Sequence, residues 1–237
     1  MVPRLLKRFA ARFPDAWQYE LRRWYFRRQI ARDVFATDER EYALLDRFLR
    51  PGDWALDIGA NIGHYAKRMS DLVGAKGRVI ALEPVPVTFA LLAANARAFR
   101  HANVSLLNVA ASDSTATAGV SIPDFTEGLR NYYQASLADG SSDLTVLTLA
   151  VDALALSQPV RLAKIDVEGH ELPVLRGMQA LLVRDQPTLI VETSSREVMD
   201  LLTSLGYSTE RLAGSSNLLC TPRRTATAAS MTAPSEA

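Results

Sequence analysis

Residues 53–63, with the sequence DWALDIGANIG, place two glycines directly after a short apolar run that contains one carboxylate. The apolar run predicts a buried strand, and the pattern from about residue 62 to 73 predicts a helix after it. Because Gly59 has no Cβ and can adopt positive φ, the turn lets a ligand approach the backbone closely. In an open α/β sheet, ligands bind at such turns, beyond the carboxyl ends of the strands.

The spacing within this turn separates two cofactor classes. A dinucleotide site uses Gly-x-Gly-x-x-Gly, whereas this chain has Asp57, Gly59, Asn61 and Gly63 at alternate positions. A carboxylate that faces the pocket repels a pyrophosphate and suits a ligand with an ammonium and a ribose, such as S-adenosylmethionine. Glu83 ends a second apolar run, about 20 residues beyond the turn, where nucleotide-binding sheets place the acid that holds ribose hydroxyls.

Strand-like and helix-like segments alternate along the chain, which predicts a doubly wound α/β fold with a mostly parallel sheet and helices on both faces. Seven strands are predicted, over residues 54–58, 77–84, 104–110, 160–167, 187–193, 207–212 and 217–220. The domain organisation predicted is a basic aromatic helical arm over 1–35, a catalytic domain over 36–220 and a disordered tail over 221–237. Within the domain, residues 117–150 form a long polar insertion. We interpret it as a substrate lid, with Tyr132 and Tyr133 as candidates for an acceptor pocket.

Charge is distributed unevenly along the chain. The whole protein has a net charge of +1, but residues 1–32 have nine Lys or Arg against two acidic residues, a net of +7, which leaves −6 for the remainder. The aromatic residues of this arm recur at helical spacing, for example Trp17, Leu21 and Trp24. Three interpretations remain open: an arm that packs on the domain or on a second subunit as a homodimer contact, a peripheral contact with an anionic membrane, and nucleic-acid binding, although no nucleic-acid module accompanies the charge.

Two further features bear on the compartment. The chain has a single cysteine, Cys220, which excludes an intrachain disulfide. The sequence contains no run of about 18 apolar residues and no signal-peptide core at its N-terminus. We therefore expect a cytoplasmic protein. The inner membrane face is where the arm would bind under the membrane interpretation.

A second polar group interrupts the strand predicted over 160–167. Lys164, Asp166 and Glu168 alternate along it and therefore share one side, and His170 follows. Buried charges need partners, so these side chains either pair with one another or face a pocket. Asp166, Glu168, His170 and Glu171 are candidates for the base that removes a proton from a hydroxyl during methyl transfer.

Other roles remain open for these residues. His170 is equally suited to capping the next helix. A metal held by Asp166, Glu168 and a neighbour such as Glu192 is an alternative that requires more oxygen ligands to converge. Asp113 follows the third strand, where it either accepts a hydrogen bond from an adenine amino group or caps a turn.

The chain resembles the FkbM family of S-adenosylmethionine-dependent methyltransferases over about residues 35–219. The matching segments are DIGANIG at 57–63, Glu83 with Pro84, Asn95, AASD at 110–113 and, most specifically, KIDVEGHE at 164–171. The resemblance implies a class I, Rossmann-like methyltransferase fold and O-methylation of a sugar, glycan or secondary-metabolite hydroxyl. It also implies that Asp57, Gly59, Asn61 and Gly63 line the methionine and ribose side, Glu83 the ribose, Asp113 the adenine, and Asp166 with Glu168 the reacting end.

Two rival functions are kept open at this stage. One is a nucleotide-dependent oxidoreductase on a similar sheet, against which Asn61 argues. The other is a methyltransferase fold that has become a non-catalytic binding subunit, against which the two intact groups of acids argue.

Overall fold

The computed structural model describes residues 15–123, 135–138 and 142–223. Its helices are α1 (Asp15–Ala31), α2 (Arg40–Phe48), α3 (His64–Val73), α4 (Pro86–Ala96), α5 (Glu171–Arg176), α6 (Gln179–Asp185) and α7 (Arg196–Ser204), with a 3₁₀ turn at Val151–Leu154. Its strands are β1 (Trp54–Ile58), β2 (Arg78–Leu82), β3 (Val104–Leu107), β4 (Ala110–Ser112), β5 (Ala116–Ser121), β6 (Ser136–Ala138), β7 (Leu144–Ala150), β8 (Val160–Ile165), β9 (Thr188–Glu192), β10 (Tyr207–Arg211) and β11 (Asn217–Pro222).

Seven strands form the main sheet, in the order β10, β11, β9, β8, β1, β2, β3. All neighbouring pairs are parallel except those of β11, which is antiparallel to both β9 and β10. The predicted seven-stranded, mostly parallel sheet is therefore confirmed. The strand order reverses beside β1, so the carboxyl ends of β1, β2 and β8 border the crevice in which such sheets bind ligands.

Alternating side chains of the central strands supply two cores on opposite faces of the sheet. Leu56 and Ile58 of β1 pack with α5, α6 and α7, whereas Ala55 packs with α2, α3 and α4. Burying a side chain such as Leu56 stabilises the fold by roughly 1.5–3 kcal/mol. Asp57 follows Ala55 by two positions and so lies on the α3 side, at the end of the strand.

Helix α1 packs along α4 through one of its faces. Ile30 is buried, Tyr19 and Phe26 are partly buried against the same core, and the Tyr19 hydroxyl donates to the Ala90 carbonyl at 3.2 Å. Asp33 lies two residues beyond the end of the helix, and its carboxylate accepts from the buried Lys67 ammonium of α3. The described part of the arm is thus attached to the domain.

A second sheet, in the order β4, β7, β5, β6, contains the described part of the predicted insertion. It begins where the predicted third strand divides into β3 and β4. At this break the Asn108 amide donates to the carbonyls of Glu83 (2.8 Å) and Pro84 (3.0 Å). This contact between distant parts of the chain directs β4 away from the main sheet.

Two other boundaries differ from the predictions. The helix expected over about 171–184 is broken into α5 and α6 at Gly177, where a Cβ would lie 1.9 Å from the Ser112 carbonyl oxygen. Strand β11 continues to Pro222, which pairs with Tyr207, so residues 221 and 222 are ordered rather than part of the tail. The expectations for the arm before residue 15, for Tyr132 and Tyr133, and for the tail after residue 223 lie outside the described residues.

Candidate active site

A cavity of about 420 Å³ opens at the carboxyl ends of β1, β2, β8 and β9. The segment before α2, strand β4 and the described parts of the second sheet complete its walls. Six carboxylates line it: Glu39, Asp57, Glu83, Asp166, Glu168 and Glu192. Lys164 is the sole lysine or arginine among the described residues of the lining, so the cavity is strongly acidic.

The glycine turn forms the floor between β1 and β8. Gly59 has φ of +79°, and a Cβ there would lie 1.8 Å from the Asp166 carbonyl oxygen. The backbone N–H groups of Gly59 and Ala60 both donate to the Leu82 carbonyl, at 3.0 and 2.9 Å. The turn is therefore held against both neighbouring strands at a position that only glycine fits.

Glu83 supports this turn. Its two carboxylate oxygens accept the backbone N–H groups of Asn61 and Val85, each at 2.9 Å. Burial raises the pKa of Glu83 to about 7; the two N–H donors oppose that rise, and Asp57 and Asp166 add to it. Each carboxylate oxygen has a second lone pair, so Glu83 can brace the turn and still accept a hydroxyl of a ligand.

Asp57 is the least solvated acid of the cavity. The residue is 1% exposed, and its carboxylate oxygens accept no hydrogen bond from any described side chain. Burial raises its pKa to about 6, while the Lys164 charge and the Ala66 backbone N–H act in the opposite direction. Buried polar groups nearly always have partners, so this carboxylate is poised for a donor that a ligand brings.

Lys164 connects the two ends of the cavity. Its ammonium donates to Asp166 Oδ2 at 2.6 Å and lies 4.6 Å from the centre of the Tyr65 ring. The Tyr65 hydroxyl in turn donates to Glu39 at 2.5 Å. Burial raises the pKa of Tyr65, which keeps this hydroxyl neutral.

The remaining carboxylates lie at the ends of β8 and β9. Glu168 adopts φ of +49° and Gly169 follows at +95°, so the turn after β8 holds a non-glycine residue in a strained conformation. Glu192 accepts from the Ser216 hydroxyl at 2.7 Å. Burial raises the pKa of Glu168 and of Glu192, and the charge of Asp166 adds to both shifts.

Most of the predicted site residues converge on this cavity, and two do not. Asp57, Gly59, Asn61, Glu83, Lys164, Asp166, Glu168 and His170 all line it. Gly63, with φ of +97°, caps α3 instead, and a Cβ there would lie 2.6 Å from Leu92 Cδ1. Asp113 is exposed, accepts from the Ser114 hydroxyl at 3.0 Å and is absent from the lining, so its adenine role stays a prediction.

His170 belongs to the wall near β4. Its Nε2 atom lies 2.9 Å from the Ser112 hydroxyl oxygen, and the residue precedes α5 without a side-chain capping bond to that helix. Within the described ranges, no group of three or more His, Cys, Asp or Glu side chains is placed to hold a metal ion. The structure therefore gives no support to the metal alternative there.

Several lining residues were not predicted from the sequence, among them Thr37, Glu39 and Tyr65. Tyr65 is in the first turn of α3, directly after the glycine turn, and its proximity to that turn was an available signal. Thr37 and Glu39 lie in the irregular segment before α2, which carries no motif. Only the packing of the arm on α3 and α4 brings them to the cavity.

The sheet order and the cavity at its carboxyl edge define a class I methyltransferase fold. The chain matches the model of the methyltransferase FkbM domain over residues 57–209. It therefore belongs to the FkbM methyltransferase family. Membership of this family decides against the oxidoreductase alternative.

Two relatives and two solved structures illustrate the match. The hexuronic acid methyltransferase AglP of Haloferax volcanii is 31% identical over 161 residues, which cover 65% of this chain and 63% of AglP. The ribosomal RNA large subunit methyltransferase E of Bdellovibrio bacteriovorus is 35% identical over 78 residues, 31% of this chain and 39% of that protein. The chain thus spans less than two thirds of either relative.

The solved structures share the fold at low identity. The methyltransferase FkbM of Methylobacillus flagellatus superposes with a TM-score of 0.51 at 16% identity, over 76% of this chain and 50% of that one. Aeropyrum pernix fibrillarin, solved with natively bound S-adenosylmethionine, superposes with a TM-score of 0.50 at 17% identity, over 76% of this chain and 73% of that one.

Proposed function

We propose that this enzyme methylates a hydroxyl oxygen of an uncharged sugar-type acceptor, either a small molecule or a glycan. The observation that carries the proposal is the carboxylate set at the ends of β8 and β9, Asp166, Glu168 and Glu192, in the same cavity as the glycine turn. A hydroxyl must lose its proton as its oxygen attacks the methyl group, and carboxylates of raised pKa are suited to accept it. Similarity to a hexuronic acid methyltransferase supports a sugar acceptor.

Asp57, Gly59, Asn61 and Glu83 form the cofactor end in this proposal. When bound, S-adenosylmethionine supplies a methyl group on a positively charged sulfur. The Asp57 carboxylate, which accepts from no described side chain, and the second lone pairs of Glu83 match the ammonium and ribose hydroxyl donors of that cofactor. Gly59 allows the close approach of a ligand to the backbone.

At the reacting end, Asp166 and Glu168 have different roles in this proposal. Lys164 holds Asp166, which makes Asp166 a positioning residue. Glu168 is exposed at the rim on a strained turn, and its pKa is raised; we assign it the proton of the acceptor hydroxyl. The acceptor O–H bond breaks and its proton passes to Glu168 and then to water, while the oxygen forms a bond to the methyl carbon. The carbon–sulfur bond of the donor would break in the same step, with its electron pair left on a neutral sulfur. At the wall near β4, His170 contacts the Ser112 hydroxyl through its Nε2 atom and so fixes the position of Ser112.

The charge of the cavity favours an uncharged acceptor. Lys164, its single fixed cation among the described lining residues, already binds Asp166, so a carboxylate on the acceptor would meet unpaired acids at close range. Like charges a few ångströms apart in a partly buried site are strongly unfavourable. This chain should therefore prefer the neutral sugar over its uronic acid counterpart, unlike the substrate class in the name of AglP.

A pair of matched acceptors tests this proposal. Transfer of radiolabelled methyl from S-adenosylmethionine is measured with p-nitrophenyl glucoside and with p-nitrophenyl glucuronide. We expect at least a tenfold higher rate with the glucoside, and a methyl ether as the product. A preference for the glucuronide would overturn the charge argument. Transfer to the nitrogen of the corresponding amino sugar, without transfer to the hydroxyls, would overturn O-methylation itself.

A further inference from the structure

Helix α1 presents an apolar stripe to solvent. Trp17, Leu21 and Trp24 are 70%, 52% and 58% exposed, and their i, i+4, i+7 spacing places them on one face of the helix. This face is opposite to Tyr19, Phe26 and Ile30, which pack on the domain. The spacing of these residues in the sequence predicts one helix face, and in the structure that face points to solvent. Large exposed apolar patches mark interaction sites.

Arginines surround this stripe. The Arg28 guanidinium lies 5.4 Å from the centre of the Trp24 ring. Arg23, Arg27 and Arg97 line a groove of about 480 Å³ between α1 and α4, with alanines as its floor. Arg23 pairs with Glu20 at 3.0 Å, whereas the structure shows no ion pair for Arg27 or Arg97 among the described residues. The groove therefore has unpaired positive charge beside exposed indoles.

We propose that α1 docks on the surface of an anionic phospholipid bilayer, with the indoles in the interface and the groove arginines on lipid phosphates. Tryptophan is enriched at membrane interfaces, and interfacial helices combine such an apolar stripe with a cationic polar face. The charge distribution agrees, since residues 1–32 have a net charge of +7 and the remainder −6. An anionic bilayer therefore attracts the face that carries α1 and repels the acidic remainder of the protein.

A second copy of the chain is a poorer occupant of the stripe. A two-fold dimer brings the same patch of both subunits together, which would place the arginines of one α1 against those of the other. Like-charge juxtaposition across an interface is destabilising. An anionic bilayer covers the indoles and neutralises the arginines at the same time.

The docked helix would be rigidly connected to the cavity. The Phe26 ring lies 5.8 Å from the Phe35 ring, which lies 4.3 Å from the His64 ring in the cavity lining. Thr37 and Glu39, shortly after α1, line the same cavity. Docking thus needs no rearrangement of α1, and it holds the active site at the membrane.

Sedimentation of the full chain with lipid vesicles tests this inference without any methyl acceptor, so the outcome is independent of the proposed reaction. Vesicles of phosphatidylcholine alone are compared with vesicles that also contain phosphatidylglycerol. We expect binding to the anionic vesicles that weakens as salt is added, because the Debye length falls from about 30 Å at 0.01 M to about 10 Å at 0.1 M. Equal binding to both vesicles, or to neither, would overturn the proposal.

Two variants separate the apolar and the charged contributions. Trp17→Ser combined with Trp24→Ser should weaken binding about tenfold or more, and Arg27→Glu combined with Arg97→Glu about 100-fold or more. Leu21→Glu gives an independent measure at a single exposed position. Unchanged affinity for S-adenosylhomocysteine shows that each variant is folded.

The control changes one apolar residue and one arginine at exposed positions elsewhere. Val183→Ser combined with Arg176→Glu lies on α6 and α5 and should bind vesicles like the wild type. An equal loss of binding in this control would contradict a specific surface. Dimerisation without lipid that depends on Trp17 and Trp24, measured by sedimentation velocity, together with no vesicle binding, would assign the stripe to a second copy instead.

Discussion

Asp57 and Lys164 are register partners in the neighbouring parallel strands β1 and β8. Both residues are buried, at 1% and 3% exposure, yet Lys164 donates to Asp166 and the Asp57 oxygens accept from no described side chain. The lysine therefore acts on Asp57 through its charge, and that charge opposes the burial that raises the pKa of Asp57. The Lys164 ammonium thus lowers the pKa of Asp57 at the cofactor end and holds Asp166 in position at the reacting end.

Asp57→Asn should stabilise the ligand-free protein at alkaline pH while weakening cofactor binding. Burial raises the pKa of Asp57 from 3.8 to about 6. A pKa raised in the folded state contributes stability that is present below the unfolded value and is lost as pH rises through 6. Above pH 6 the ionised carboxylate therefore costs on the order of 3 kcal/mol, which the amide removes. Thermal unfolding of wild type and variant below pH 4 and above pH 7 measures the difference.

Asp200→Asn, at an exposed position of α7, serves as the control and should change neither stability nor affinity. Calorimetric titration with S-adenosylhomocysteine should show at least a tenfold loss for Asp57→Asn. A variant that loses stability above pH 7, or that binds as tightly as the wild type, would contradict the role assigned to this carboxylate.

Lys164→Met should move the acid limit of cofactor binding to higher pH. Without the ammonium, burial and the Asp166 charge both raise the pKa of Asp57 beyond its wild-type value of about 6. Affinity for S-adenosylmethionine, measured across this range, should then fall off at a higher pH than in the wild type. Lys76→Met, at an exposed position, should keep the wild-type profile. A loss of affinity that is the same at every pH would instead indicate a direct contact between Lys164 and the cofactor.

Glu168→Gln should lower the rate of methyl transfer far more than it weakens cofactor binding. Loss of a general base typically costs a factor of about 10²–10⁴ in rate, and Glu168 contacts neither Asp57 nor Glu83 by any hydrogen bond that the structure shows. The measurements are single-turnover transfer and titration with S-adenosylhomocysteine. Glu197→Gln, exposed on α7, is the matched control. If Glu192→Gln shows the larger rate loss instead, the proton passes to the end of β9.

Short sequence patterns were enough to predict which strand ends form the site. The apolar runs before Asp57 and Glu83 and the alternation of Lys164 with Asp166 are properties of short segments, and each strand end they predict lies at the cavity. The orientation of helix α1 was beyond such patterns. Tyr19 and Trp17 are equally aromatic, and only the presence of α4 decides which of them is covered.

The features that depend on distant contacts could not be predicted. The third strand divides where Asn108 reaches the carbonyls of Glu83 and Pro84, and the helix after β8 breaks where Gly177 meets Ser112. Glu39 reaches the cavity because Tyr65 donates to it across 26 positions of sequence. Each of these contacts joins segments that carry no mutual signal in the sequence.

Gly59→Ala should abolish cofactor binding and destabilise the protein, whereas Gly169→Ala should cost only conformational strain. Both glycines have positive φ, but a Cβ at Gly59 would lie 1.8 Å from the Asp166 carbonyl oxygen, and a Cβ at Gly169 would meet nothing within 4 Å. Left-handed φ alone costs a residue with a Cβ roughly 1–2 kcal/mol. Because the clash is with backbone, Gly59→Ala must move β8 away from β1 as well, and with it Lys164 and Asp166. Chemical unfolding should therefore show a loss near that strain energy for Gly169→Ala and a clearly larger one for Gly59→Ala. Equal losses in the two variants would mean that the close contact between the glycine turn and Asp166 does not hold the site together.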